Sequence, residues 1–169
     1  MERTVVCRTA QDMENLGREI GRTCIGGSVI SLRGSLGSGK TVFAKGVARS
    51  LGIEEAIVSP TFTLVQEYDG SLPMYHMDLY RITSEEDFQM IGGEDMLYSD
   101  GVCLVEWSEI INDILPSGTL FVQITVNDDQ SRTVVLSGGW VFMNHTYYRL
   151  DLSIVPLVDV SPIQKLTNI

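Results

Sequence analysis

The sequence is short of the features that mark several broad protein classes. It has only three cysteines, Cys7, Cys24 and Cys103, with no C-x-x-C spacing. Scattered thiols of this kind argue against a disulfide framework or a zinc site and read as small buried hydrophobes in a reducing compartment. No apolar run approaches the roughly 18 residues that a membrane span requires. Met1-Glu2-Arg3-Thr4 lacks the charged-then-apolar layout of a signal peptide. A cytoplasmic chain with no membrane partner is therefore expected. Cations are scarce, with 12 Lys and Arg against 22 Asp and Glu and a net charge of -10. Nothing in that balance draws the chain to a polyanion, so direct nucleic-acid binding is disfavoured. The nearest approach to a basic cluster is Lys45 with Arg49, one helical turn apart. An acidic surface of this kind suits a protein partner that carries a basic patch. Internal repeats and low-complexity tracts are absent too, as is the Asn-Lys-x-Asp sequence of common guanine-reading sites. No arginine-rich lid lies between Glu54 and Trp107, which weakens a small-molecule kinase reading.

What is present is a phosphate-binding loop. Gly34-Ser35-Leu36-Gly37-Ser38-Gly39-Lys40-Thr41 fits G-x-x-x-x-G-K-[ST]. The apolar run Ser28-Val29-Ile30-Ser31-Leu32-Arg33 before it reads as a buried strand, and Val42 to Arg49 after it as a helix. Strand, glycine loop and helix together turn backbone N–H groups toward a phosphate chain. Gly34, Gly37 and Gly39 permit the tight wrap. Lys40 can reach the β- and γ-phosphates, and Thr41 can present its hydroxyl to Mg²⁺. ATP and Mg²⁺ are the expected cofactors, with residues 34–42 as the cradle.

The rest of the chain, 169 residues at 44% hydrophobic, is enough for one domain with a short appendage. Thr4 to Cys7 reads as a strand. Thr9 reads as the N-cap of a helix with Met13, Leu16, Ile20 and Cys24 on one stripe, ended by Gly26-Gly27. Gly52 suits a C-cap for the helix that follows the loop. Ser59-Pro60-Thr61 leads into a strand through Val65, since Pro60 holds Ser59 extended. Met74 to Met77 pairs with that strand as an antiparallel partner, because the connection is too short for a crossover helix. Thr83 or Ser84 caps a short acidic helix, with Thr83 and Glu86 at capping-box spacing and Gly92-Gly93 at its end. Val102 to Val105 reads as a central strand. Ile110, Ile111 and Ile114 suggest a helix stopped by Pro116. Leu120 to Val126 and Thr133 to Leu136 form a hairpin around Asn127-Asp128-Asp129-Gln130. From residue 140 no clean period survives. Residues 1–139 are expected to form the domain and 140–169 an appendage, packed on it or available to a partner.

A phosphate loop needs a carboxylate near its metal. Asp78 and Glu106 each end an apolar strand, where an open α/β sheet puts its ligand crevice. Either could hold Mg²⁺, and Glu106 could instead act on the attacking water; the sequence does not divide these roles. Thr61 lies where a segment sensing the γ-phosphate is usually found. Trp107 could stack on the nucleotide or shape its pocket. His76 is most simply a structural histidine, and Arg81 is the arginine nearest the probable metal carboxylate. Hydrolysis to water, linked to a partner's state, suits so small a chain better than transfer to a metabolite.

Taken in order, the loop, Ser59-Pro60-Thr61-Phe62-Thr63-Leu64-Val65, His76-Met77-Asp78-Leu79-Tyr80-Arg81 and Val105-Glu106-Trp107 resemble the TsaE family, over roughly residues 9–137. The resemblance implies an α/β P-loop NTPase, a three-layer sandwich with a mixed, mostly parallel central sheet, a C-terminal hairpin and a short appendage. It implies Mg²⁺-dependent ATP hydrolysis, weak alone and stimulated by TsaB and TsaD. That turnover would drive or reset their complex as N6-threonylcarbamoyladenosine is formed at adenosine 37 of tRNAs reading ANN codons; tRNA would be met only through the complex. By position, Lys40 and Thr41 take the loop roles, Thr61 is the switch threonine, Asp78 is linked to Mg²⁺, and Glu106 is the metal-site or catalytic carboxylate. Trp107 lies at the nucleotide. Two departures stand out: Ser35 replaces a usual acidic residue, and the tail beyond about residue 140 is longer than usual. A small-molecule kinase and a non-hydrolysing scaffold are the alternatives.

Overall fold

The computed structural model describes residues 2–143 and 146–149. Its centre is a seven-stranded sheet in the order β1-β7-β6-β2-β5-β4-β3. The strands are β1 (Glu2–Cys7), β2 (Val29–Gly34), β3 (Val65–Tyr68), β4 (Met74–Asp78), β5 (Val102–Glu106), β6 (Leu120–Val126) and β7 (Arg132–Gly138). The four middle strands, β6, β2, β5 and β4, run parallel. Antiparallel strands flank them: β3 on β4 at one side, and β7 then β1 on β6 at the other. The sheet is thus mixed, with a parallel middle, and both expected hairpins are present. The far-edge position of β1 was not anticipated; a strand's partner 130 residues away leaves no local trace, although its register with β7 pairs Glu2 with Ser137.

Each face of the sheet carries its own core. β5 is buried along its whole length, as a strand covered on both faces must be. Residues alternate between the faces: Leu104 packs with Ile30, Leu32 and Met74 on one side, while Cys103 and Val105 pack with Val29, Met77 and Phe88 on the other. Burial pushes the thiol of Cys7 up to about 11 and that of Cys103 up to about 12, so neither is a reactive thiolate at neutral pH. Among the described residues no helix is long and apolar enough to cross a membrane.

Two helices cover the first face, α1 (Ala10–Thr23) and α2 (Lys40–Ser50). Thr9 caps α1 by accepting from the Asp12 N–H, while the Asp12 carboxylate accepts from Thr9 N–H, a complete capping box. The helix ends at Thr23, before the glycine pair, and Cys24 is its extended C-cap rather than part of its stripe. α1 lies directly on α2. A methyl group added at Gly17 would run into the Phe43 carbonyl, and one at Gly46 into the Glu14 carbonyl. The two backbones therefore meet at glycines, and the stripe of large residues is only part of the contact. Gly46→Ala should lower stability by about 1–3 kcal/mol. Urea unfolding followed by circular dichroism checks this; an unchanged midpoint would mean that the helices can separate at no cost.

The second face is covered by α3 (Glu85–Met90) and α4 (Gly93–Leu97). Ser84, not Thr83, is the N-cap of α3, and it accepts from Asp87 N–H; Thr83 instead donates its hydroxyl to the Asp87 carboxylate. Gly92 adopts φ 75° and caps α4, so the glycine pair joins two short helices rather than closing one. The helix expected around Ile110, Ile111 and Ile114 is only a 3-10 turn, Ser108–Ile111. Ser108 and Arg33 account for this: the Ser108 and Ser31 hydroxyls lie 2.6 Å apart, and Arg33 donates to Asn112 at 2.8 Å. These bonds draw the turn against the end of β2 before it can extend. Within the expected appendage, β8 (Trp140–Met143) and β9 (Thr146–Arg149) form a separate antiparallel pair; the Ile154–Val160 stretch and His145 lie outside the described residues.

Candidate functional site

The site forms where three parallel strands end. Leu32 of β2 pairs with Glu106 of β5, and Glu106 pairs with Asp78 of β4, so both carboxylates lie in one row at the carboxyl edge of the sheet. Adjacent parallel strands in register bring together residues that are 28 positions apart in sequence, Asp78 and Glu106. Both side chains are buried, at 2% and 3% exposure. Charges at that depth require partners, and each has them.

Asp78 is held on both oxygens. Ser59 and Thr61 donate their hydroxyls to Oδ2 at 2.6 and 2.7 Å, and Tyr80 N–H donates to Oδ1 at 2.9 Å. Thr61, expected from the sequence as a γ-phosphate-sensing residue, is placed on Asp78. Ser59 makes an equal contact that sequence reasoning missed; the available signal was its position two residues before Thr61 in a stretch that Pro60 keeps extended. Glu106 is held on one oxygen. Oε1 accepts from Thr41 Oγ1 at 3.1 Å and lies 2.8 Å from His76 Nε2. No described residue donates to Oε2.

The loop itself bends through positive φ at Gly34, Gly37 and Gly39, with values of 147°, 75° and 111°. Gly39 is the N-cap of α2 and supplies no side-chain cap. The first-turn N–H groups of an 11-residue helix are thus left for an external acceptor. Ser38 is fully buried, its hydroxyl has no partner among the described residues, and it lies on the α1 side of the loop beside Thr9, Met13 and Arg132 rather than in the cavity with Lys40. Lys40 folds back on the loop, donating to the carbonyls of Gly34 and Ser35 at 2.9 and 3.0 Å. Burial pulls its ammonium below the usual lysine range, while Glu106, Asp78 and Glu109 pull the other way. Its charge also lies 4.2 Å from the centre of the Trp107 ring, a cation–π contact. Trp107 adopts a left-handed φ of 58° directly after β5, and its ring packs 5.0 Å from that of Tyr80. Only a tightly held turn keeps a bulky residue in that conformation, and the Ser108 and Arg33 bonds hold this one.

Leu36, Gly37, Gly39, Lys40, Thr41 and Val42 share one cavity of about 340 Å³ with Thr61, Asp78, Glu106 and Trp107. The structure therefore brings together the sequence-predicted residues of the loop, the carboxylate row and the threonine. Gly34 closes the loop from below as the last residue of β2, and Ser35 enters through its carbonyl alone. A larger cavity of about 720 Å³, along Lys45, Arg49 and residues 52–58, includes none of these groups. Size alone would favour it, but the uncapped helix start, the paired carboxylates and the lysine are all at the smaller one.

Residues 7–134 match the family model "Threonylcarbamoyl adenosine biosynthesis protein TsaE". The tRNA threonylcarbamoyladenosine biosynthesis protein TsaE of Treponema pallidum is 46% identical over 132 residues, 78% of this chain and 98% of that protein. The protein of the same name from Bacillus subtilis is 44% identical over 112 residues, 66% of this chain and 70% of its own length. In three dimensions the chain resembles the crystal structure of Bacillus subtilis YdiB, with a TM-score of 0.69 at 32% identity, over 82% of this chain and 86% of that one. The loop, the paired carboxylates and the Ser59–Thr61 contact all fall inside the matched span, and on these grounds the chain belongs to the TsaE family.

Proposed function

We propose that the chain is a Mg²⁺-dependent ATPase that serves formation of N6-threonylcarbamoyladenosine at adenosine 37 of tRNAs reading ANN codons, by driving or resetting a TsaB–TsaD complex. The observation that carries this reading is the single cavity in which Lys40, Thr41, Thr61, Asp78 and Glu106 converge. The donor set suits MgATP. The uncapped start of α2 supplies N–H donors for phosphate oxygens, and the hydroxyl and carboxylate oxygens are the hard ligands that Mg²⁺ selects.

In this reading residues 34–42 bind the phosphates, with the Lys40 ammonium exchanging its loop carbonyls for phosphate oxygens. Thr41, through its hydroxyl, and Asp78, as the metal-linked carboxylate, would hold the metal. Thr61 shares Asp78 with Ser59 and so senses whether the γ-phosphate side is filled. Glu106, with Oε2 free, takes the proton of the attacking water or supports the metal. Bound Mg²⁺ neutralises charge that develops on the transferring phosphoryl group. Trp107 and Tyr80 wall the cavity on one side.

Partner stimulation fits the mouth of the site. Leu36 and Phe62 are each 82% exposed and Tyr80 is 58% exposed, an apolar rim where solvent alone would favour polar side chains. Arg81 stacks on Phe62 with its guanidinium 4.4 Å from the ring centre. A protein that covers this rim would exclude water and hold the Thr61 segment closed. The 140–169 segment is kept as an appendage to the 1–139 domain, and the chain as a cytoplasmic protein that meets tRNA only through its partners.

The test is ATP hydrolysis by the purified chain, alone and with TsaB and TsaD, in Mg²⁺ and in EDTA. Turnover should be slow alone, rise at least about 10-fold with partners, and vanish in EDTA. A rate indifferent to partners, with ATP binding confirmed separately, would overturn the regulated-ATPase reading.

A further inference from the structure

His76 is a buried polar residue between the apolar core and the cavity on its strand face. On β4, Met74, His76 and Asp78 point to the same side of the sheet; Met74 lies in the core beneath the helices, and Asp78 is at the cavity. His76 sits between them at 0% exposure. Its Nδ1 has no hydrogen-bond partner among the described residues. An imidazole buried with one nitrogen unsatisfied costs stability that a leucine of similar size would not. The compensation is a single contact, Nε2 to Glu106 Oε1 at 2.8 Å. The contact is diagonal: Leu104 is the register partner of His76, and Glu106 lies two residues further along β5, within reach of a long side chain. The geometry also fixes the tautomer. A proton on Nδ1 would be an unpaired donor in the core, so the hydrogen sits on Nε2 and is donated to the carboxylate.

We propose that His76 is a positioning residue for Glu106. It pins Oε1, so that Oε2 is the oxygen left to work in the cavity. The proposal deepens, and rests on, the assignment of Glu106 to the hydrolytic step. Its consequence is specific. Oε1 has two donors in this structure, Thr41 and His76. A Thr41 hydroxyl recruited to Mg²⁺ leaves His76 as the remaining one. The histidine therefore matters most in the nucleotide-loaded state, where the carboxylate would otherwise be free to rotate or to be drawn onto the metal by both oxygens.

Three variants separate reach from packing. His76→Gln keeps an N–H donor at the Nε2 position, His76→Asn keeps polarity but falls short of Glu106, and His76→Leu fills the space with no donor. Each is measured with partners at saturating Mg²⁺ for kcat and KM, by calorimetric titration with ADP for affinity, and by thermal unfolding. Glu106→Gln is run beside them. His76→Asn and His76→Leu should lose about 10–100-fold in kcat, the range for removal of a group that orients a working ligand. KM and the ADP Kd should stay within about 2-fold, and His76→Gln should recover most of the rate. Should His76→Leu fail to fold, the Gln-against-Asn contrast decides alone. Equal rates in His76→Asn and His76→Gln, or rate losses that follow Tm and ADP affinity, overturn the positioning role. If Glu106→Gln is inactive while His76→Asn and His76→Leu match wild type, positioning fails and the Glu106 assignment stands. If Glu106→Gln turns over at the wild-type rate, both fall.

Discussion

Lys40→Ala should reduce partner-stimulated ATP hydrolysis by about 100-fold or more, the scale for loss of one preorganised charge at a transferring phosphoryl group. The lysine is the phosphate ligand of the proposed reaction and, in the structure, a strut of the loop. Its ammonium bridges the Gly34 and Ser35 carbonyls and lies under Trp107. Alanine removes the cation and leaves two carbonyls to find water, so weaker ATP binding should accompany the lost rate. Arginine should not rescue it, because Lys40 is only 5% exposed and a planar fork cannot occupy the space of its compact ammonium. The measurement is stimulated turnover at saturating ATP, with nucleotide affinity determined separately. Turnover at the wild-type level would sink the loop assignment.

Glu106→Gln should be almost as damaging to turnover and far gentler on binding. The amide can keep its carbonyl oxygen toward Thr41 and His76, preserving both donors' partner, while its NH₂ replaces the oxygen that no described residue holds. General-base or metal-supporting capacity disappears and the shape of the site remains. A loss of about 100-fold or more in stimulated kcat, with ATP affinity within a few-fold of wild type, is the expected pattern. Single-turnover hydrolysis in parallel with equilibrium binding of ATP distinguishes the two effects. A variant that binds poorly and turns over normally per bound nucleotide would move Glu106 from the reaction to ligand retention alone.

Much of this site could be read from the chain because its parts are local. A glycine loop between an apolar run and a helix, and a carboxylate at the end of each apolar strand, are patterns within a few residues, and β2, β4 and β5 carry them where expected. What the sequence withholds are facts of pairing. Whether Asp78 and Glu106 face each other depends on the register of two strands, which only the folded sheet fixes. Ser59 and His76 are ordinary residues until that register sets one hydroxyl on Asp78 and one imidazole on Glu106. The same limit explains the 3-10 turn: three isoleucines at helical spacing suggested a helix, and the Ser31–Ser108 and Arg33–Asn112 bonds, made across more than 70 positions, overrode it. It explains α1 and α2 as well, where Gly17 and Gly46 mark an interface by lacking side chains and so contribute nothing to a hydrophobic stripe.

That glycine contact has a mechanical corollary. Where Gly17 meets the Phe43 carbonyl and Gly46 meets the Glu14 carbonyl, no side chain separates α1 from α2, and at those two points neither helix can move closer to the other. The phosphate loop is built on the first turn of α2, so it behaves as the fixed jaw of a vice. The opposing jaw, residues 59–64, is joined to the carboxylate row by two hydroxyls on a single oxygen, and its Phe62 tip stands in solvent. On the proposed partner-stimulated reading, closure would fall to that second jaw, and a partner that covers Phe62 would hold the lever rather than the anvil.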